Sequence, residues 1–280
     1  GIEVQGKIID TMIAAPLLNE NRRFYNLNSL AGEYLGEWKN EKMLRSAAEM
    51  HGVNPKSGMW QLHANFVGRY AEQDAAVTLR LWDRLRADIV KEKVSSIFEL
   101  ETSLLPCLLD MKTKGVRVDI DKAELVKKDL QNREDNLLKE IKTETGVSVF
   151  PWEAASIAKA FDSLGLKYHR TENSNAPSFT KQFLVNHTHP IAQKIVKLRE
   201  FNKANTTFVE TILEHSCNGR IHCDFNPLRS DEGGTVTGRF SSSNPNLQQI
   251  PARDPEIKAL IRGLFLPEEG TKWGSFDYAS

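Results

Sequence analysis

The spacing of apolar residues changes along the chain, and this change limits the folds that the sequence can adopt. From about Gln61 to Glu92 apolar residues recur every three or four positions, which predicts one long amphipathic helix. Helical spacing continues, with interruptions, to about His215. Beyond it, short alternating segments flank the turn signal Asn218-Gly219, which predicts a hairpin and the start of a sheet. The sequence therefore predicts a helix-rich, mixed α/β fold.

Capping residues predict where several helices begin. Asn28 and Asn40 each precede a short amphipathic segment as N-cap candidates. Asp121 with Glu124 matches a capping box for a helix that is rich in Lys and Glu and ends near Thr145. Because that helix is so highly charged, we expect it to be mostly solvated.

Proline marks further boundaries. The segment from Ser95 to Lys114 is typical of a helix that is interrupted or kinked at Pro106. Apolar and charged residues alternate over residues 116–119, which predicts a short strand. Pro190 and Pro255 each stand where a first helical position is expected.

Composition excludes several classes of protein. The 280 residues include 37 Lys+Arg and 37 Asp+Glu, so the formal net charge is zero, and any nucleic-acid surface must come from local placement of cations. The longest apolar runs are shorter than the roughly 18 to 20 residues that a membrane span needs. Three cysteines are few for a secreted disulfide scaffold. These features favour a cytoplasmic protein without a membrane partner.

Both ends of the sequence favour a longer polypeptide. The chain begins with Gly1 rather than Met, and it stops within an aromatic, strand-like run from Lys272 to Ser280. We therefore expect an internal piece of a larger protein.

Two pairs of polar residues share helical faces. Tyr70 and Asp74 lie four residues apart on the predicted long helix, where a carboxylate and a phenol could bind a metal ion and orient a water molecule. Arg199 and Lys203 have the same spacing on a later helix and could hold successive phosphates. The alternatives are that Tyr70 is half-buried packing, that Asp74 is a solvated charge, and that the two cations belong to an ordinary wet surface.

The most informative segment runs from Thr235 to Pro251. It combines one Arg, several hydroxyls and three amides around turn residues, a set suited to hydrogen bonds with phosphates and base edges. Its order, TGR followed by SS and PNLQ-x-IP, resembles the signature of family A DNA polymerases, the group of bacterial DNA polymerase I and many phage replicases. Residues 70–74 resemble the third exonuclease motif, YxxxD, and residues 276–278 resemble the start of polymerase motif A.

The resemblance covers essentially the whole chain and implies its organisation. Residues 1–94 would be the C-terminal part of a ribonuclease H-like 3′–5′ exonuclease domain. Residues 95–216 would contain the approach to the palm and the thumb helices. Residues 217–280 would form the N-terminal part of the palm, with the TGR segment (residues 235–239) and the start of motif A. The length of residues 227–234 favours a phage-type enzyme, in a bacterial or phage-infected cell.

The resemblance also implies a reaction. It implies a template-directed DNA polymerase of replication or repair with a linked proofreading exonuclease, both acting by two-metal phosphoryl transfer. Asp277 and Asp74 would bind Mg²⁺, for which Mn²⁺ could substitute, and Tyr70 would orient the attacking water. Tyr278 and Arg253 would lie near the incoming nucleotide.

DNA contacts are implied for the remaining residues. Arg239 would contact the minor-groove edge at the primer terminus, and Asn246 and Gln248 would support it. Arg199 and Lys203 would hold duplex phosphates. The implied partners are primer-template DNA and deoxynucleoside triphosphates, bound by a monomer. The sequence does not identify a processivity factor.

Other functions stay open at this point. The chain could be a DNA-binding module without activity of its own, because further exonuclease and palm carboxylates would lie outside it, and we expect the isolated chain to be inactive. A stand-alone nuclease fits poorly with the thumb-like region and the TGR segment. Zinc binding is also disfavoured, because the spacing of the histidines and cysteines matches no standard zinc module. We expect packing roles for four tryptophans: Trp38, Trp60, Trp82 and Trp152.

Overall fold

The computed structural model describes residues 5–231 and 233–276, which form two compact units. Unit 1 contains the described residues up to Thr113 together with Asp224–Ser243, apart from residue 232. Unit 2 contains Lys114–Cys223 and the described residues from Asn244 onward. The predicted boundaries after residues 94 and 216 follow the implied roles of the segments rather than this division, and they stay predictions.

Helices account for most of the regular structure, and the strands are short. The helices are α1 (Thr11–Leu18), α2 (Leu27–Leu35), α3 (Lys42–Met50), α4 (Ala64–Lys91), α5 (Ser95–Lys114), α6 (Ile120–Thr145), α7 (Ala154–Ser163), α8 (Lys181–Asn186), α9 (Pro190–Lys203), α10 (Glu210–Glu214) and α11 (Pro255–Arg262). The strands are β1 (Val116–Val118), β2 (His169–Arg170), β3 (Pro177–Ser178), β4 (Ser216–Cys217), β5 (Arg220–Ile221), β6 (Asp224–Asn226), β7 (Ser241–Ser243) and β8 (Phe265–Leu266). A π-helical segment, Ala204–Val209, joins α9 to α10.

Unit 1 is organised by the apolar stripe of α4. Val77, Leu81, Leu85 and Ile89 follow one another at intervals of four residues, so they lie on one face, and all four are buried. The last three of them share a core with residues of α1 and α2 and with Phe98 of α5. Because Leu and Ile side chains each contribute roughly 1.5 to 3 kcal/mol when fully buried, this stripe fixes how the helices of unit 1 pack.

Residues 224–243 belong to unit 1 although they are distant in sequence. Strand β6 pairs antiparallel with β7, and Leu228 packs against the core around α4. Asp231 accepts hydrogen bonds from the backbone N–H of Tyr25 and from Asn26 Nδ2, the latter at 2.7 Å. Residues 228 and 231, which precede Thr237-Gly238-Arg239, are thus anchored to the rest of unit 1, and β7, which follows, is joined to them through β6.

Unit 2 is built around α6, which contributes to two hydrophobic cores. Its first half supplies Ala123, Val126 and Leu130 to a core shared with α11 and the sheet, and Ile141 joins a second core with α7 and α9. More than half of its 26 residues are exposed, as predicted for so charged a helix, but the prediction did not include its contribution to both cores. Charge lies on one side of α6, and the stripe of apolar residues on the other side is buried.

Strand β1 is central in the four-stranded antiparallel sheet of unit 2. The strand order is β4-β5-β1-β8, with Val116 opposite Ile221 and Val118 opposite Phe265. The predicted hairpin at Asn218-Gly219 is confirmed, because β4 and β5 pair across it and both turn residues have positive φ. Pairing on both sides leaves β1 with no free edge.

A polar chain beside α6 leads from a buried carboxylate to an exposed tryptophan. The carboxylate of Glu134, which is 8% exposed, accepts hydrogen bonds from Asn202 Nδ2 at 3.0 and 3.2 Å. Asn202 Oδ1 in turn accepts a hydrogen bond of 2.7 Å from Trp152 Nε1. Burial raises the pKa of Glu134, although the hydrogen bonds from Asn202 partly oppose the shift.

Several predicted boundaries differ from the structure. The cap of α2 is Asn26 rather than Asn28, and the cap of α6 is Asp119, whose carboxylate accepts from Lys122 N at 3.0 Å, rather than Asp121. Helix α5 runs unbroken through Pro106. Each of these helices has two polar residues near its start that could cap it, Asn26 and Asn28 for α2 and Asp119 and Asp121 for α6. In both, the earlier residue is the cap, so the helix begins two residues before the predicted start.

Other expectations have mixed outcomes. Pro190 and Pro255 begin α9 and α11, as predicted. Trp38, Trp60 and Trp152 are exposed, so the expectation that they are core or half-buried is wrong for these three, whereas Trp82 packs against the core of unit 1. Of the predicted terminal strand, residues 272–276 are not in a strand and the rest lies outside the described residues. No helix of the described part combines the length and the hydropathy that crossing a membrane requires.

Glu134 predicts a pH dependence of stability. Because its pKa is higher in the folded state than its ordinary value of about 4.3, the folded state binds the proton more tightly, and stability is lost as pH rises through the folded-state pKa. The free energy of unfolding, measured with urea, should fall less between pH 5 and pH 7 for Glu134→Gln than for the unsubstituted protein.

The matched control for this prediction is Glu124→Gln, because Glu124 is an exposed residue of the same helix. It should keep the pH dependence of the unsubstituted protein. Parallel pH profiles for Glu134→Gln and the unsubstituted protein would contradict the argument.

Candidate functional site

Tyr70 and Asp74 project from the same face of α4, and Lys39 contacts both. Lys39 Nζ lies 2.9 Å from Asp74 Oδ2 and 3.3 Å from the Tyr70 hydroxyl, and it stands 5.1 Å from the centre of the Tyr70 ring. Tyr70 is half-buried and packs against a small core that includes Leu44. The structure thus brings together the two predicted residues and adds a cation that the sequence pattern does not indicate.

The position of Lys39 is fixed by its own backbone segment, which we name the strap (residues 36–40). The Gln73 side chain binds the strap on both sides of Lys39, since Nε2 donates to Trp38 O at 3.4 Å and Oε1 accepts from Asn40 N at 3.2 Å. Lys39 N donates to Asn28 Oδ1 at 3.0 Å. Gln73 lies between Tyr70 and Asp74 in sequence, so the motif positions its own cation.

Two further contacts hold the strap against α4 and α2. Glu37 forms an ion pair with Arg80 of α4. The Trp38 ring packs over Gly32, where an added Cβ would lie 2.7 Å from a ring carbon, so a larger residue at Gly32 would displace the ring. The strap is therefore anchored independently of the Lys39 side chain.

The two oxygens of Asp74 have different surroundings. Oδ2 pairs with Lys39, whereas Oδ1 is buried, and among the described residues no donor is within hydrogen-bonding distance of it. Burial disfavours the charge on Lys39, but its hydrogen bonds with Asp74 and Tyr70 outweigh burial and raise the pKa of Lys39. The site therefore holds a charged ammonium next to a carboxylate that is incompletely hydrogen-bonded.

Asp74 is a suitable ligand for a hard cation. Carboxylate oxygens are preferred by Mg²⁺, and an unpaired buried oxygen such as Oδ1 is the kind of group that a cation could satisfy. Within residues 5–231 and 233–276, however, no group of three or more His, Cys, Asp or Glu could hold a metal ion. Asp74 alone would supply one ligand of a larger set.

The TGR segment presents its arginine to solvent. Thr235 Oγ1 donates to Arg239 O at 2.7 Å and Gly238 has a φ of +72°, so the chain turns sharply just before Arg239. Arg239 itself is exposed, and no carboxylate of the described residues lies within ion-pair distance of its guanidinium. The backbone of the turn is thus ordered by Thr235, while the charged group is accessible.

The residues after the TGR segment lie in unit 2. Asn246 caps the turn at Leu247–Gln249, because its side chain accepts a hydrogen bond from Gln248 N at 3.0 Å. Gln248 is exposed and lines a groove that also contains Leu247 and Ile250. Arg253 is exposed one residue before Asp254, the cap of α11. These side chains are accessible.

Arg199 and Lys203 have contrasting environments despite sharing α9. The Arg199 guanidinium donates to the carbonyls of Pro151 at 2.7 Å and Phe179 at 2.6 Å, and it stands 5.3 Å from the Trp152 ring. Burial lowers the pKa of Arg199. Lys203, one turn later, is exposed. Arg199 thus holds two loops together, whereas Lys203 is open to solvent.

Two predicted site residues, Asp277 and Tyr278, lie outside the described residues. Phe276, which precedes them, is exposed.

Comparison with known proteins assigns the chain to a family. Residues 120–280 match the profile of DNA polymerase family A. The chain belongs to DNA polymerase family A. Residues 1–90 match a 3′–5′ exonuclease profile, so the two regions follow one another in the chain.

Relatives of this family A chain include phage and bacterial polymerases. It is 36% identical to a DNA-directed DNA polymerase of Pseudomonas phage M6, over 96% of this chain and 42% of the relative. It is 32% identical to DNA polymerase DpoZ of Acinetobacter phage SH-Ab 15497, over 95% of this chain and 47% of the relative. It is 30% identical to DNA polymerase I of Chloroflexus aurantiacus, over 100% of this chain and 30% of the relative. The chain thus spans less than half the length of these relatives.

The fold of the family A chain also resembles a solved structure. This is the POL domain of Pol1 from M. smegmatis, solved as a complex with DNA primer-template and dNTP. The TM-score is 0.71 over 93% of this chain and 41% of that one, with 23% identical residues. The comparison supports a helix-rich mixed α/β fold like that of a polymerase domain.

Lys39 could not be predicted because its partners are more than thirty residues away. Helix spacing predicted that Tyr70 and Asp74 share a face, but nothing local to Lys39 indicates which face of α4 its segment crosses. The only local signal is Gly36, a glycine that ends α2 with a φ of +68° just before the segment that contains Lys39.

Arg199 and Lys203 predict different losses of stability in this family A chain. Arg199→Met removes two charge-assisted hydrogen bonds and leaves two carbonyls unpaired, so it should lower the free energy of unfolding by about 2 to 4 kcal/mol. Lys203→Met should change it by less than about 0.5 kcal/mol, because Lys203 is exposed. Urea unfolding of both variants measures the difference, and equal losses would contradict it.

Proposed function

We propose that the protein carrying this chain is a template-directed DNA polymerase with a linked 3′–5′ proofreading exonuclease. The observation that carries this proposal is the order of the two profile matches, exonuclease over residues 1–90 and family A polymerase over residues 120–280. An exonuclease preceding a polymerase in one chain can remove a misincorporated nucleotide before synthesis resumes.

The domain roles form part of the proposal. Residues 1–94 would belong to a ribonuclease H-like exonuclease domain, residues 95–216 to the thumb and the approach to the palm, and residues 217–280 to the palm. The helical character of residues 120–214 is compatible with a thumb, and the antiparallel sheet around β1 is compatible with part of a palm. The partners would be primer-template DNA and deoxynucleoside triphosphates, the two kinds of ligand that the M. smegmatis complex contains.

In the exonuclease, Asp74 would be one ligand of the metal site and Tyr70 would orient the attacking water. The carboxylate and the hydroxyl are close enough in space for Lys39 to contact both of them. A water molecule held by the Tyr70 hydroxyl would therefore lie near the carboxylate. Bound Mg²⁺, or Mn²⁺, would neutralise the charge that develops on the phosphate oxygens.

In the polymerase, the resemblance to motif A supports Asp277 as the carboxylate that binds the metal ions, with Tyr278 beside it. Arg253 would lie near the triphosphate of the incoming nucleotide. Its exposed position next to the start of α11 leaves its guanidinium able to pair with phosphate oxygens.

Contacts with DNA would come from two kinds of residue. Arg239, Asn246 and Gln248 are exposed residues whose side chains contain donors suited to minor-groove acceptors, which every base pair presents. Lys203 is suited to a phosphate of the duplex. Arg199 is proposed for the same role, although two of its donors already bind backbone carbonyls, so its contribution to affinity would be smaller.

Asp74 and Asp277 should separate the two activities. In the full-length protein, Asp74→Ala should remove degradation of DNA 3′ ends and leave polymerisation intact, because it deletes one exonuclease ligand. Asp277→Ala should abolish nucleotide incorporation and change primer-template affinity by no more than a few fold. The measurement is degradation and extension of one labelled primer-template by both variants.

The outcomes of this comparison discriminate between functions. Extension at the normal rate by Asp277→Ala would exclude the polymerase assignment. Full 3′-end degradation by Asp74→Ala would exclude the exonuclease role of the α4 pair. DNA binding without either activity in the unsubstituted full-length protein would favour the DNA-binding module.

Arg239 and Lys203 should affect synthesis in different ways. Arg239→Ala should slow extension by roughly tenfold to a hundredfold and reduce discrimination against mismatched primer ends. The reason is that it removes a contact of about 1 to 3 kcal/mol at the step in which the primer terminus is aligned. Lys203→Ala should weaken binding of matched and mismatched primers equally and flatten its salt dependence.

The measurement compares extension of paired and mispaired primers with DNA binding at two salt concentrations. If Arg239→Ala reproduces the behaviour of Lys203→Ala, Arg239 contacts a phosphate and the minor-groove role is wrong.

A further inference from the structure

The accessible side of the Asp74 carboxylate is occupied by a cation from the protein itself. Lys39 Nζ pairs with Oδ2 at 2.9 Å, while Oδ1 is buried. The side chains of Lys39 and Asp74 are 12% and 27% exposed, so water screens the pair only in part. A divalent cation that uses this carboxylate must either replace the ammonium at Oδ2 or bind within a few ångströms of it.

The ion pair is not needed to hold the strap in place. The Gln73 side chain binds the strap backbone on both sides of Lys39, Glu37 pairs with Arg80, and the Trp38 ring packs over Gly32. Lys39 N is bound by Asn28. The backbone of Lys39 is therefore fixed by other residues, and only its flexible side chain has to move for the ammonium to leave Asp74.

We propose that Lys39 is a resident counter-ion of Asp74 that competes with the divalent cation and sets the metal concentration at which the exonuclease becomes active. This inference rests on the exonuclease function proposed above. The ammonium and a metal ion are both attracted to the same carboxylate, and they repel each other at contact distances. Metal binding therefore has to displace the Lys39 ammonium or take place against its repulsion, and either case lowers the apparent affinity of the site for the metal.

Lys39 also has a positioning role toward Tyr70. In the absence of the metal, the ammonium contacts both the Asp74 carboxylate and the Tyr70 hydroxyl, so it bridges two side chains that helical spacing already places on one face of α4. Its displacement releases both of them together. The side chain thus links the arrival of the metal to the availability of the Tyr70 hydroxyl for a water molecule.

The test measures Mn²⁺ binding to the full-length protein by electron paramagnetic resonance. The Asp74-dependent site is identified as the binding that Asp74→Ala removes. Lys39→Gln should lower the Kd of that site at least threefold, because it removes the competing charge and keeps a side chain able to donate a hydrogen bond. The Mn²⁺ concentration for half-maximal 3′-end degradation should fall by the same factor.

Three variants serve as controls. Lys39→Met removes the charge with a different side chain and should tighten Mn²⁺ binding in the same way, should Lys39→Gln fail to fold. Lys39→Arg keeps the charge and should remain within twofold of the unsubstituted protein. Lys42→Gln, an exposed lysine at the start of α3, removes the same charge without contacting Asp74 and should also remain within twofold.

Unchanged or weaker Mn²⁺ binding in the neutral variants at Lys39 would overturn the proposal, as would an equal tightening in Lys42→Gln. The proposed function fails separately. If Asp74→Ala retains 3′-end degradation, the exonuclease assignment is wrong. If Asp74→Ala loses degradation and an Mn²⁺ site while Lys39→Gln binds Mn²⁺ like the unsubstituted protein, only the counter-ion role is wrong.

Discussion

Burial of one face of α6 is the interaction on which unit 2 depends. The helix is long enough to reach both hydrophobic cores, with Val126 and Leu130 in one and Ile141 in the other. Its packing against α9 places Asn202 beside Glu134, so the same contact that buries apolar surface also creates the polar chain from Glu134 to Trp152. A helix whose sequence is dominated by Lys and Glu can serve this role because its apolar residues, though few, lie in register on one side.

Much of the fold could be predicted because its signals are local. The long helix α4, the prolines that begin α9 and α11, and the Asn218-Gly219 hairpin each depend on residues that are neighbours in sequence. The errors at helix starts have a common cause in competition between nearby signals. Asn26 and Asn28 are both able to cap α2, but Asn28 lies inside the helix, and its side chain accepts a hydrogen bond from Lys39 N, eleven residues away.

The site was predictable as a set of residue types rather than as an arrangement. Spacing placed Tyr70 and Asp74 on one face, and the order of the TGR segment identified an exposed arginine. Spacing could not distinguish Arg199 from Lys203, since the partners of Arg199 are carbonyls in loops twenty and forty-eight residues away. The contact between Lys39 and α4 is equally non-local. Tertiary contacts decide whether a charged side chain binds the backbone, pairs with a neighbouring charge or remains accessible to a ligand.

The central position of β1 has a consequence for synthesis on the ribosome. Val116 pairs with Ile221 and Val118 with Phe265, so both neighbours of this strand are translated more than a hundred residues after it. At about 5 to 20 residues per second, β1 waits on the order of ten seconds with its hydrogen-bonding groups unpaired. During that interval its edges are open to other nascent chains, and the shortness of a three-residue strand limits the hazard. The helices between residues 120 and 214 pack against one another, above all α6 against α9, and can form while the sheet is still incomplete.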